Sequence, residues 1–276
     1  MIDADAFNAF EAAGWEAKAA GYDRFFGDIT SRLIDPLLDA ASVRPGSRVL
    51  DVATGPGYVA AAAARRDASV LGVDISSAMV AMASESHPDI DFRQADVHDL
   101  PLEDGAFDAV VANFLILHVG RPEVAVSELA RVLAPGGRLA LTVWDVPERT
   151  RLFDLFLGAV ADAGATAPDA IPAGPDFFRF SEDDEFDALL RGAGLEDRRV
   201  QTVAFEHVAT EDEVWNGMLH GTVRSSVLVL EQDEATQGRI REAFRRRAYE
   251  YDHHYGLAIP ISVKLASGRR LGVARG

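Results

Sequence analysis

Val49-Leu50-Asp51-Val52-Ala53-Thr54-Gly55-Pro56-Gly57-Tyr58-Val59-Ala60 decides how this chain reads. An apolar run ends in an acid, breaks into a glycine turn and resumes as an alanine-rich stretch of helical propensity: strand, tight loop, helix. Gly55 and Gly57 let the backbone turn sharply and let a ligand approach the main chain with no Cβ in the way. The helix that follows offers unpaired N–H groups. This is a nucleotide-binding geometry, and a pattern this short has more than one reading.

Composition narrows the partners. At 276 residues the chain reads as a single domain with length enough for a sizeable core. The 27 basic against 44 acidic residues give a net charge of −17. That argues against a nucleic-acid backbone or an anionic membrane as the main partner and favours a small molecule. With no cysteine, disulfides, thiolate metal sites and cysteine nucleophiles are excluded. The start, MIDADAFNAF, lacks a basic n-region and an apolar h-region, and no apolar run reaches 18 residues. A cytoplasmic protein without membrane insertion, monomer or homodimer, is expected.

Outward from the opening stretch, strand and helix patterns alternate. Strands are expected at 48–53, 69–75, 90–95, 107–114 and 138–144, with helices at 58–66, 77–85 and 122–133. Such alternation implies an α/β fold with a doubly wound, mainly parallel sheet covered on both faces. Ligands bind such sheets at the carboxyl ends of the strands, near the switch in strand order. Residues 1–44 read as an N-terminal helical lid, helical over 5–42, with Gly14, Gly21 and Pro36 expected to break or kink it. The core spans 45–148 and a helical segment 149–195, with helices at 149–164 and 182–192 around the Pro/Gly-rich loop Ala165 to Pro175. Residues 196–276 hold a strand at 198–207, a helical insertion over 209–256 (helices 211–220 and 231–251) and a last strand at 258–265.

The opening loop fits two cofactors. Gly55-Pro56-Gly57-Tyr58-Val59-Ala60 matches the GxGxxG/A pattern of dinucleotide sites, and Asp51 through Gly57 matches the acid-plus-glycine loop of S-adenosylmethionine (SAM) sites. Three acids, Asp51, Asp74 and Asp96, end three successive expected strands and so lie along one sheet edge. Asp74 can take both ribose hydroxyls of either cofactor. Asp96 discriminates, because an acid after the third strand suits an exocyclic adenine amine, with the Val97 N–H beside it.

The strings VLDVATGPGYVA, VLGVDISSAMVAMA, FRQADVHDLPLEDGAFDAVVANFLILHV and RVLAPGGRLALTVWD resemble the successive motifs of class I SAM-dependent methyltransferases. The likeness is to the broad group that includes the ubiquinone and menaquinone methyltransferases, and it covers about residues 45–145. It implies a seven-stranded Rossmann-like sheet whose seventh strand is antiparallel, a place that Ile259 to Leu265 can fill. It also implies that Asp51, Gly55 and Gly57 line the methionine end of SAM, with Ala53 where a third glycine is commoner. Asp74 would hold the ribose and Ile75 would pack on the adenine. Asp96 and Val97 would read the adenine edge, and Asn113 and Phe114 would flank the sulfonium. Pro56, the third acid and the Ala-Pro-Gly-Gly turn stand against a NAD-dependent oxidoreductase.

In-line methyl transfer draws on proximity and orientation, and needs a base only if the acceptor loses a proton. His118, just past the fourth strand, is the candidate general base. Tyr22 is expected to close over the cofactor. Phe25, Phe26, Trp144, Phe178 and His220 are candidate walls of an acceptor pocket, suited to an aromatic or isoprenoid small molecule. Tyr251-Asp252-His253-His254-Tyr255 supplies no clear third ligand at an expected helix end, and no metal is expected. The chain is thus expected to methylate an oxygen, nitrogen or activated carbon of a small molecule. The alternative is a protein of the same fold that binds SAM without methylating, as a cyclase or decarboxylase.

Overall fold

A computed structural model describes residues 3–168 and 171–272. Residues 169 and 170, inside the expected Pro/Gly-rich loop, and the last residues of the 196–276 segment lie outside the described residues. The central sheet is ordered β3 (Asp91–Gln94), β2 (Ser69–Asp74), β1 (Arg48–Val52), β4 (Phe107–Asn113), β5 (Leu133–Trp144), β8 (Gly256–Arg270), β6 (Leu195–Ala209), with a two-residue β7 (Asp252–His253) paired to β8. The first five strands in that order run parallel, and β8 is antiparallel to both β5 and β6. The strand over 258–265 is therefore the expected antiparallel one, extended at both ends.

Both sheet faces are buried, which is why the inner strands read as nearly unbroken apolar runs. On one face α2 (Ile34–Ala40) and α3 (Tyr58–Arg65) pack Leu37, Leu38, Val59 and Ala63 on Val49, Val111 and Ala140. On the other, Leu129 of α5 (Pro122–Val132) and Leu190 of α7 (Asp183–Gly192) share a core with Leu50, Val110 and Leu139. α4 (Ser77–Ser86) starts on a Ser76 cap, whose side chain accepts from Met79 N, and covers the β2–β3 edge.

α1 (Ala4–Ser31) runs unbroken through Gly14 and Gly21, against expectation. Glycine costs helix stability, but here it permits contact: a Cβ on Gly14 would meet Val223 at 2.3 Å, and one on Gly21 would meet the His220 carbonyl oxygen at 2.0 Å. The chain interrupts at Arg32–Leu33 instead, and Pro36 sits in the first turn of α2, where no N–H is needed.

Late helices build a layer over the carboxyl ends of the strands. α6 (Arg151–Asp162), α8 (Glu211–Gly221) and α10 (Glu234–Ala248) meet through Phe156, Trp215 and Phe244, and a further helix, α9 (Arg224–Leu230), follows α8. A capping box starts α8: Thr210 Oγ1 accepts from Glu213 N, and Glu213 accepts from Thr210 N. The two histidines expected at a helix end stand in the β7–β8 hairpin instead. Among the described residues no group of three or more His, Asp or Glu side chains is arranged to hold a metal ion.

Candidate functional site

The β1–α3 loop curls through three left-handed residues: Ala53 at φ 57°, Gly55 at φ 53° and Gly57 at φ 86°. Asp51 stands behind this turn and holds it shut. Its Oδ2 accepts from Thr54 Oγ1 at 2.7 Å and from Ala60 N at 3.0 Å. Its Oδ1, fully buried, has no partner among the described residues. Burial pushes the carboxyl up to about 7 against the pull of those two donors. Gly57 caps α3 against His87, Phe92 and Ala83, away from the cavity. The expectation that Asp51 and Gly57 line the ligand is therefore corrected: both shape the loop from behind, while Ala53, Gly55 and Pro56 face the cavity.

One cavity of about 320 Å³ lies over the switch between β1 and β4. At one end Asp74 closes β2. Its Oδ2 accepts from Gly55 N and its Oδ1 from Ser76 N, both at 2.9 Å, and burial raises its carboxyl above the usual range. Ile75 and Val97 line the same end. Asp96 lines it too, its Oδ1 bonded to His98 N and in contact with His98 Nδ1.

At the other end aromatic rings form the wall. Phe114 sits at φ 61°, a conformation disfavoured for a bulky residue, with its N–H on Thr142 Oγ1 and its ring centroid 4.0 Å from that of Trp144. Asn113 is held on both sides, by Thr30 O and Thr142 Oγ1. Tyr22, stacked on Phe26, lies above Gly55, and its hydroxyl is pushed up to about 12 by burial. Trp15, Phe153 and Phe177 complete the lining.

His118 lines this aromatic end, its Nδ1 3.0 Å from Glu11 Oε2. Burial lowers its pKa below the ordinary histidine value, more than the Glu11 charge raises it and with Arg224 adding to the drop. The ring is neutral near pH 7, as a base requires.

Three expected walls stand elsewhere. Phe25 turns away onto Gly217 of α8 and the His207 ring. Phe178 packs behind Phe153 and Phe177 rather than on the cavity. His220 is exposed at the end of α8, where its carbonyl and Cβ pack against Gly21 of α1. Phe26 and Trp144 do face the cavity.

Lining residues unforeseen from the sequence include Glu11, Trp15, His98, Phe153, Phe177 and Arg224. Glu11 and Arg224 look like ordinary solvated helix charges in their local strings, and only the docking of α1 and α9 buries them. α1 is also tied over the donor end: Glu16 accepts from Ser76 Oγ, Ser77 Oγ and Ala78 N, and Tyr58 donates its hydroxyl proton to Asp23.

The arrangement fits a cationic nucleoside. At one end Asp74 and Asp96 offer carboxyl oxygens to the hydrogen-bond donors of a ligand. Ring faces at the other can hold a sulfonium by cation–π attraction.

Residues 50–141 match the family model described as a methyltransferase domain. The chain is similar to the demethylmenaquinone methyltransferase of Beutenbergia cavernae, 36% identical over 165 residues, 57% of this chain and 69% of that one. The chain spans about half to two-thirds of the length of the curated relatives it matches. Among solved structures, the YcgJ protein of Bacillus subtilis superposes with a TM-score of 0.60 at 19% identity, covering 88% of this chain and 99% of that one. The [4+2]-cyclase SpnF does so at 0.53 and 21%, covering 88% and 81%. At such identities these two share the fold alone.

Proposed function

The chain belongs to the class I SAM-dependent methyltransferases, and on that premise we propose that it methylates a small aromatic acceptor carrying an ionisable hydroxyl, of the hydroquinone type. The observation that carries this reading is His118, neutral and facing the aromatic end of the cavity opposite Asp74. When bound, SAM supplies a methyl carbon whose bond to sulfur breaks with the electron pair left on sulfur.

The protein's own residues do the rest. Asp74 and Asp96, with Ile75 and Val97, hold the adenosyl half. The rings of Phe114, Trp144, Phe26 and Phe153 sandwich a flat acceptor and exclude water. His118 Nε2 takes the hydroxyl proton, and the resulting oxyanion loads electron density onto the oxygen and the adjoining ring carbon, either of which can form the new bond. The names of the relatives, demethylmenaquinone methyltransferases, support a quinol-like ring. The cavity volume, at the lower end for ligand sites, supports a compact one.

The test is incubation of the purified protein with SAM and a panel of reduced naphthoquinones, catechols and simple phenols. S-adenosylhomocysteine formed in step with a methylated product is expected. Product formed while SAM stays intact points to the non-methylating alternative, and calorimetry that detects no SAM binding overturns both.

A further inference from the structure

Glu11 is 2% exposed and lies at the wall of the cavity, on a helix otherwise charged toward solvent. Its Oε2 accepts from Trp15 Nε1 at 3.2 Å and meets His118 Nδ1 at 3.0 Å. Its Oε1 stands 2.9 Å from Arg224 Nε, out of line for a hydrogen bond, so that this buried oxygen has no hydrogen-bond partner among the described residues. Arg224 is itself fixed between the Phe7 and Phe177 rings, donating to the carbonyl of Leu117, next to His118. With the Arg224 guanidinium at contact distance, Glu11 is the carboxylate of a buried ion pair.

An ionised carboxylate only accepts hydrogen bonds. His118 must therefore carry its proton on Nδ1, which leaves the Nε2 lone pair toward the cavity. We propose that Glu11 is the positioning residue of His118: it selects this tautomer, aims the ring and stabilises the imidazolium formed when the acceptor's proton arrives. The proposal rests on the reading of His118 as the base. Charge balances through the step. The positive charge carried by the sulfonium beforehand resides afterwards on the imidazolium, against the Glu11 carboxylate. Because Glu11 comes from α1 and His118 from the turn after β4, the base is complete only with α1 docked, and that same helix holds the α4 terminus beside Asp74 through Glu16.

The groups facing His118 are Glu11 and Trp15 from α1, Phe177, and Arg224 from α9, with Asp176 acting on Arg224. The first measurement needs no variant at Glu11: ring-nitrogen NMR of histidine-labelled wild-type protein near neutral pH, with the His118 signal assigned by its loss in His118→Asn. A proton on Nδ1 is expected, and a proton on Nε2 overturns the proposal. The second is Glu11→Gln. The expected result is an unchanged SAM Kd, kcat lowered on the order of 10²-fold, and an acid limb of the kcat–pH profile displaced to lower pH, with Glu11→Asp restoring part of both. Wild-type kcat and pH midpoint in Glu11→Gln would overturn the proposal while leaving His118 as the base. If Glu11→Gln does not fold, the wild-type tautomer decides alone. Full activity in His118→Ala would instead remove the base itself.

Discussion

The α-carbon of Gly21 faces the carbonyl oxygen of His220 so closely that a methyl group there would stand 2.0 Å from it. The obstacle is backbone, which cannot rotate aside. Gly21→Ala is expected to cost about 1–3 kcal/mol despite the better helix propensity of alanine. Because α1 roofs the cavity, SAM affinity should weaken with it. Thermal denaturation with and without SAM checks this, and a variant as stable as wild type would show that α1 does not dock on α8 in solution.

The rate is expected to depend on pH, with His118 as the base. Its pKa lies below the ordinary histidine value of about 6.5, so the base form is full at and above neutrality and lost in acid. The kcat profile should be flat at and above neutrality and fall only on the acid side of the ordinary histidine range. His118→Ala should lower kcat on the order of 10²-fold and abolish the acid limb. An acid limb that survives in His118→Ala assigns it to another group.

Asp51 governs a pH dependence of stability. Unfolded, its carboxyl ionises near about 3.9, whereas in the fold it keeps its proton to about 7. Between those limits the folded state binds more protons, so this group's contribution to stability falls as pH rises from about 4 to about 7, then levels off. Denaturant midpoints for wild type and Asp51→Asn should therefore converge or cross in the variant's favour as pH rises through that window. A difference constant with pH would mean that Asp51 is ionised in the fold throughout.

Asp74 organises the donor end with both oxygens. Asn in its place keeps one acceptor and leaves Gly55 N or Ser76 N unpaired. A lost hydrogen bond to a charged group is worth about 1.5–3 kcal/mol, so calorimetry should show SAM affinity lowered roughly 10- to 100-fold in Asp74→Asn. An unchanged Kd would exclude Asp74 from the cofactor site.

Ala53 occupies a left-handed position at the cavity edge. The strain of about 1–2 kcal/mol exceeds the chain entropy that glycine loses, about 0.5–1 kcal/mol. Ala53→Gly should thus raise the thermal midpoint slightly. A lower midpoint would mean that the alanine methyl contributes packing that outweighs its strain.

The sequence by itself determined the sheet, the strand ends and the cofactor class. Those signals are local: an acid, a glycine turn and a helix start within a dozen residues, repeated along 45–145. That Asp74, Ile75, Asp96 and Val97 line the cavity was legible because the residues at and just past a strand's end stand at the sheet edge wherever the strand goes. Only the tertiary structure decided which side of the loop Asp51 faces, that Phe25 turns to α8 while Phe26 turns to the cavity, and that Gly14 and Gly21 join helices rather than break one. It alone joined Glu11 to His118, 107 residues away. A side chain's burial and its partner depend on which elements dock over it, and docking is set by the complementarity of whole surfaces rather than by any short string.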